Sequence, residues 1–515
     1  YALIKDKIKA AKILIYHGAN VNIKNKRNWT PLSLAFKKKN YKFAKYLIKK
    51  GARLAKNDKL YVRVFLRSCD KGNLQEVVLL VKAGADVNAR NYYGYTGLMK
   101  ASKGGHINIV KFLLRNNAKV NFRSRYKYTA LVYALKNKHY NIARLLVSKG
   151  ATVRYNDKYW KNIMLKAINS EDLKTLYIIV KTGINVNSYF YRYGYYTSLT
   201  YAAKYNKIKV VKYLAPKSSI KNKNESLIIA SNRGNFDIVK YLLRNGASAN
   251  YKDKYSRTAF MHAANKGYLK IVRYLSALVH KSQFNRALLS TANRSQLHVL
   301  KYLVKKGANV NYSNQKGETA LMKACSSADL NTTRFLISNG AKINRPDKNK
   351  WTPLMYSLRP GMYSISGGNR QVIKYLVSNG ADINAKDAAG RTVLMLACSK
   401  GRDDLIRLFV SNGAKINLKD LENSTALMWA LQYCNKSTIK YLINNGASIK
   451  GVTTNGVSTL MLATSIGDFE LVRKLVNLGV SINLKNFNNW TALSIAQRKG
   501  HYKIARYLKS KGAKE

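Results

Sequence analysis

The feature that most constrains this chain is a period. Near the C-terminus Thr392, Thr425, Ser458 and Thr491 stand 33 residues apart, and each opens an apolar run such as TALMWAL at Thr425. The register continues upstream at Thr352, Thr319, Arg286, Thr258, Glu225, Thr197, Asn162, Thr129, Thr96, Arg63 and Thr30, giving about sixteen units with the partial one before Thr30. A period of this length marks an array of supersecondary units, each too small to bury its own apolar faces. Within a unit the pattern predicts a short apolar helix after the Thr and a polar or glycine break. A second helix follows with apolar residues at i, i+1, i+4 and i+5, as in Ile109, Val110, Leu113 and Leu114. The glycine after the second helix sits where a helix C-terminus favours left-handed backbone.

These motifs resemble the ankyrin repeat over essentially the whole chain. Its T-P-L opening stands at Thr30-Pro31-Leu32 and Thr352-Pro353-Leu354, its Gly-His connector at Gly105-His106 and Gly500-His501, and its closing GADVN at Gly84 to Asn88. Long arrays rich in Lys and Asn with a TALM opening are similar to those of giant DNA viruses and of some host-associated bacteria. The resemblance implies an all-α repeat solenoid of about sixteen stacked helix-turn-helix units. Short β-hairpin fingers would project between the closing Asn and the next Thr, with partners bound along the fingers and first helices. One departure is systematic. The family's His after the opening is Met at 99, 261, 322, 355, 395, 428 and 461. A thioether fills space and accepts only weakly, so these Met side chains are expected in the core.

The register breaks in three places and divides the chain into three parts. Residues 1–215 form an N-terminal array with fingers rich in Tyr, Arg and Lys. Residues 216–285 hold irregular units: Thr197 to Glu225 and Thr258 to Arg286 are each 28 residues, and 216–219 and 280–283 are expected to be shortened fingers. Residues 286–515 form a C-terminal array with a loop insertion near 359–370.

Charge separates this array from an ordinary one. There are 93 Lys and Arg against 23 Asp and Glu, a net charge of +70. An AT-rich codon bias would enrich Glu and Asp together with Lys, so the scarcity of acids calls for a physical cause. Self-repulsion at this charge opposes compaction, and an anionic partner would relieve it.

No grouping of residues supports chemistry. The seven His and four Cys (Cys69, Cys325, Cys398, Cys434) show no metal or triad spacing, and there is no phosphate loop or nucleophile elbow. His106, His139 and His501 occupy the connector slot, where the family uses His structurally. Glu171-Asp172 and Asp403-Asp404 sit at starts of second helices, where they suit the helix dipole. No catalytic residue, metal or cofactor is expected, and no small-molecule substrate. No apolar run is long enough to span a membrane. Unclustered cysteines fit a reducing compartment, hence an intracellular setting: host cytoplasm, nucleus or virion.

The fingers are not equivalent. By residue 258 the chain has used 26 of its 37 Tyr, so the aromatics concentrate in the early fingers while charge is spread throughout. The candidate partner-binding residues are Tyr92, Tyr93 and Tyr95; Arg123, Arg125, Tyr126, Lys127 and Tyr128; Tyr155, Lys158, Tyr159 and Trp160; Tyr189, Tyr191, Arg192, Tyr193, Tyr195 and Tyr196; and Lys252, Lys254, Tyr255 and Arg257. Tyr and Arg dominate binding hot spots, and the same pairing suits phosphates and unstacked bases. The alternative is that the Tyr rings pair with one another across adjacent fingers. A Lys or Arg also recurs on the second helices (Lys111, Lys212, Lys240, Arg273, Lys301, Lys440), a solvated face or a basic stripe. The leading expectation is a non-enzymatic scaffold for an acidic protein. Direct DNA or RNA binding is the alternative, and membership of a larger nucleoprotein or viral particle is a third reading.

Overall fold

The computed structural model describes residues 7–27, 29–54, 59–153, 158–189, 196–359 and 368–514; for 59, 60, 158, 159, 368 and 369 the backbone alone is described. It contains 31 α-helices among the described residues: one leading helix, Ile8–Tyr16, then fifteen pairs. First helices pack on first helices of neighbouring units and second helices on second helices. The chain forms two compact units, Tyr1–Ala230 with Asp237–Ala247, and Ser231–Phe236 with Ser248–Glu515.

The recurrent Thr starts the first helix because its hydroxyl can do what the backbone cannot. The first N–H groups of a helix have no carbonyl upstream, and an N-cap hydroxyl satisfies one of them. Oγ1 of Thr96, Thr129 and Thr425 accepts from the N–H groups of Met99, Val132 and Met428 at 3.2, 3.3 and 3.4 Å, and Ser458 does the same for Met461. Each such cap stabilises its helix by about 1 kcal/mol.

The anchors without a hydroxyl behave differently. Arg63, Asn162, Glu225 and Arg286 do not begin helices. They lie inside longer ones, Lys59–Lys71, Lys158–Asn169, Ile220–Arg233 and Ser282–Ala292. With no cap to stop it, the first helix extends upstream and takes up the residues expected to form a finger. The segments at 216–219 and 280–283 are therefore not shortened fingers. The first is a 3-10 turn, Ala215–Lys217, running into the helix at Ile220, and the second enters a helix at Ser282.

Second helices close as the sequence predicts. Gly84 has φ 96°, the Ala85 N–H donates to the Leu80 carbonyl and the Gly84 N–H to that of Val81, a Schellman closure. Ile109, Val110 and Leu113 are buried, and all seven Met of the opening slot are at most 5% exposed, so they fill the core. Neighbouring units are also stapled by the closing Asn. Asn311 Nδ2 donates to the Gly340 carbonyl, and its Oδ1 accepts from the Lys342 N–H, both at 2.8 Å. Asn88 and Asn417 repeat the arrangement. His106 and His139 reach back to the Asp70 and Lys103 carbonyls at 3.0 and 3.1 Å, a structural use of the connector slot.

The fingers are turns and not strands. Among the described residues no strand forms, and pairing is limited to isolated bridges such as Ser313 with Thr319. A side-chain acceptor builds each turn. Asp347 Oδ1 accepts from the Asn349 and Trp351 N–H groups, both at 2.8 Å, and Asn91, Asp253, Asp387 and Asp420 do the same. One main-chain bond then links successive tips: Lys348 N–H to the Lys316 carbonyl, Leu421 to Ala389, Thr454 to Glu422.

Candidate finger surface

Two early fingers bring six of the candidate residues together. The Arg125 N–H donates to the Tyr93 carbonyl at 2.9 Å, fixing the 121–128 finger against the 88–95 finger. That bond sets the rings. Tyr93 stacks on Tyr126 with centroids 6.4 Å apart and planes at 16°, and Tyr95 lies 6.5 Å from Tyr126. The Arg125 guanidinium covers Tyr92 at 3.6 Å. Arg over an aromatic face is favourable by about 0.5–1 kcal/mol at an exposed site, more once water is excluded. Tyr92 is 73% exposed, Tyr93 49% and Tyr126 51%. The rings thus pair across fingers and still present their outer faces to solvent.

Beneath them Tyr128 meets Tyr133 edge-on at 5.4 Å, and Tyr133 also touches Tyr95 at 5.8 Å. Tyr133 is 6% exposed, and burial followed by its hydrogen bond with Tyr95 raises its phenol pKa. It belongs to the first helix, four residues after Thr129, and sequence reasoning did not select it. The slot has a recurring task. At the corresponding position Tyr356 donates to Asp347 Oδ2 at 2.8 Å, Trp429 Nε1 donates to Asp420 Oδ2 at 3.0 Å, and His262 Nε2 pairs with Asp253 Oδ2 at 2.9 Å. One carboxylate oxygen builds the turn, and the other is held by the helix below. The signal was available in the sequence as a polar or aromatic residue nine positions after the finger Asp.

The remaining candidates fall elsewhere. Arg123 is half-buried, and Lys127 is exposed at φ 61°, a left-handed position of the same finger. Tyr189 is half-buried, with its hydroxyl 3.4 Å from Glu225 Oε2; burial, then the Glu225 charge, raises its pKa. Tyr196 carries Lys204 at 4.4 Å over its ring. In the second compact unit Tyr255 is 62% exposed between Lys254 and Arg257, at 5.0 and 4.8 Å, Arg257 is paired with Asp253 at 3.2 Å, and Lys252 is exposed. Trp160 requires a correction. It is 1% exposed, on a helix where a finger was expected, and it is core. Lys158 and Tyr159 lie on that helix, their side chains outside the described residues; Tyr155, Tyr191, Arg192, Tyr193 and Tyr195, and residues 360–367 of the insertion, also lie outside them.

Seven of the 23 acids have structural duties. Asp253, Asp347, Asp387 and Asp420 serve finger turns, while Asp172, Asp329 and Asp468 cap second helices by accepting from the N–H groups of Thr175, Thr332 and Leu471. Burial opposes the charge on Asp253. The Arg257 N–H, His262 and the Tyr255 N–H outweigh it and hold the pKa below the usual carboxylate value. Among the described residues the same carboxylates reach only a few surface cations, Arg257 with Asp253, Arg391 with Asp387 and Lys436 with Asp468. Three of the four thiols, Cys69, Cys325 and Cys398, are buried, and Cys434 is half-buried. Burial pushes Cys325 up to about 12, and Cys69 is buried and raised as well.

Helix pairs stacked by capped openings, stapled closings and linked finger turns define a repeat solenoid of the kind that presents binding surfaces. A family model described as ankyrin repeats (3 copies) matches residues 1–58, 65–157, 216–287, 287–387, 361–453 and 435–515. The chain belongs to the ankyrin-repeat family. An ankyrin repeat protein of fowlpox virus (strain NVSL) is 25% identical over 131 residues, a stretch covering 25% of this chain and 24% of that protein. This chain therefore matches about a quarter of that relative's length. Ankyrin repeats generally mediate protein–protein interaction.

Proposed function

We propose that this protein is a non-enzymatic scaffold that captures an acidic protein partner on the Tyr- and Arg-bearing fingers between residues 88 and 128. The observation that carries the reading is the Tyr92–Arg125 and Tyr93–Tyr126 arrangement. It is an exposed set of aromatic faces, ordered by a main-chain bond, topped by a cation and mounted on a buried tyrosine. Rigid aromatics lose little side-chain entropy on binding, and Arg supplies forked donors for carboxylates. A chain of net charge +70 with only 23 acids, several of them committed to turns and caps, favours an anionic partner. Four unpaired thiols suit a reducing, intracellular setting, which is part of the proposal.

A second reading, direct binding of DNA or RNA, draws on the same charge. The two separate cleanly in a pull-down from native lysate at low and high salt, with and without nuclease. A protein partner that survives nuclease, and is lost when Tyr92, Tyr93 and Tyr126 are replaced by Ala, supports the first. Nuclease-sensitive recovery, with log affinity falling by about 0.9 per phosphate against log salt on duplex DNA, supports the second.

A further inference from the structure

The second helices carry a ladder of their own. A cation on one helix lies over an aromatic ring on the next: Arg273 over Tyr302 at 5.7 Å, Lys301 over Phe335 at 5.8 Å, Arg334 over Tyr375 at 5.3 Å and Arg407 over Tyr441 at 4.5 Å. Near the N-terminus Lys12 lies over Tyr46 at 5.5 Å. The ring always occupies one slot, immediately after the cation of its own helix, as in Arg273-Tyr274 and Lys301-Tyr302. Part of the basic stripe expected from the sequence is therefore engaged with rings.

At one point two successive ring slots are aliphatic. The ring slot holds Leu145 and then Ile178, and the cation slot before Ile178 holds Tyr177. Elsewhere the slot lacks a ring only singly, at Leu79, Leu408 and Lys474; here two adjacent rings are missing. A groove of about 750 Å³ lies beside the second of these slots, at Ile178, across helices Tyr140–Ser148, Leu173–Lys181 and Ile208–Leu214, all within the first compact unit. Val147, Leu173 and Ile178 supply apolar surface, and Tyr177 and Tyr213 flank it. Leu173 is 37% exposed and Tyr177 43%, so the apolar surface is open. Its charged lining residues are Arg144, Lys174 and Lys181, with no acid among them. Lys174 and Lys181 already lie over the Tyr140 and Tyr177 rings, at 5.6 and 5.1 Å. Arg144 is exposed, and its register points to Ile178 where Arg273, Lys301, Arg334 and Arg407 find a ring.

We propose that this groove is a second docking site, which takes a peptide segment of a protein partner carrying one large apolar side chain flanked by carboxylates. The apolar side chain occupies the space beside Ile178, where the slot lacks its ring, and a carboxylate takes both donors of the Arg144 fork. Charge complementarity selects the occupant: an all-cationic rim around an apolar floor rejects basic segments and gives neutral ones no partner for Arg144. The volume falls within the range for sites that bury a compact ligand, and the groove is open to a continuing chain. This site lies on the second helices and does not rest on the finger reading.

The test uses the full chain and an array of synthetic peptides with Leu, Phe or Trp set between Glu residues. Matched peptides carry Lys for Glu, or Ser for the apolar residue, and a medium-chain fatty acid serves as competitor. Saturable binding is expected of the acidic apolar peptides alone. Arg144→Gln is expected to weaken it on the order of tenfold, and Ile178→Tyr, which restores the rung, to the same degree or more. Arg334→Gln, whose guanidinium already lies over Tyr375, and Ala at Tyr92, Tyr93 and Tyr126 leave it unchanged. Thermal melting checks that Ile178→Tyr is folded; Arg144→Gln alters an exposed side chain and decides the matter if it is not. Failure of every peptide to bind overturns the proposal, as does equal binding of the Ser peptides or to the Arg144→Gln variant. Fatty-acid binding that no peptide displaces overturns it in favour of a lipid site.

Discussion

The Arg125 guanidinium lies 3.6 Å from the ring centre of Tyr92, one finger upstream. The two residues are 33 positions apart, one repeat, so the contact is a direct product of the period. Covering an exposed ring with an exposed cation adds little to folding, but it presents a preordered face to an anionic ligand. Arg125→Gln is expected to lower partner affinity on the order of tenfold with a melting temperature close to wild type. A large drop in melting temperature with affinity intact would make the pair structural.

Tyr356 tests the buried side of the finger. Its hydroxyl is shared by Asp347 Oδ2 at 2.8 Å and Glu318 Oε1 at 3.2 Å, with the ring 2% exposed. Tyr356→Phe leaves buried acceptors without that donor and is expected to cost about 1–3 kcal/mol in urea unfolding. Loss of the 54% exposed Tyr433 ring by Tyr433→Ala is expected to cost about 0.5 kcal/mol or less.

The Met stripe makes a separate claim. Met322 is wholly buried, so Met322→Ala is expected to cost about 2–5 kcal/mol and Met322→Leu less than about 1.5 kcal/mol. Near-neutral Met322→Ala would remove the thioethers from the core account.

Stability should also depend on acid. Burial opposes the charges on Asp172, Asp253 and Glu318, and hydrogen bonds from Tyr140, from the Arg257 N–H and His262, and from Lys323 and Asn314 outweigh it, holding all three pKa values below the ordinary 3.8 or 4.5. A carboxylate lowered on folding contributes fully above its unfolded pKa and loses that contribution as pH falls through the folded value. The urea midpoint should therefore fall below about pH 4, with Asp253→Asn flattening part of the slope. A midpoint unchanged down to about pH 3 would contradict the assignment.

Much of this fold was legible because it is repeated. Thr caps, closing glycines and buried Met slots recur often enough to average out local exceptions. The exceptions are what escaped. Arg63, Asn162, Glu225 and Arg286 fit the period but lack the hydroxyl that stops a helix, so periodicity placed fingers where helices run. Trp160 was carried onto the surface by the Tyr and Lys around it, although its helix turns it inward. Tyr133 reads as core from its position, and only the geometry shows it supporting the finger rings. The groove lies beside Ile178, a slot without its ring, a feature visible in the sequence once the ladder slot is known.

The most direct test of the central claim is quantitative capture from native, nuclease-treated lysate. It compares the wild-type chain with one carrying Ala at Tyr92, Tyr93, Arg125 and Tyr126, both shown to be folded by thermal melting. A protein partner retained by the wild type, weakened by salt and lost from the variant is the predicted result. Equal retention by both chains would contradict the claim that these fingers are the binding surface.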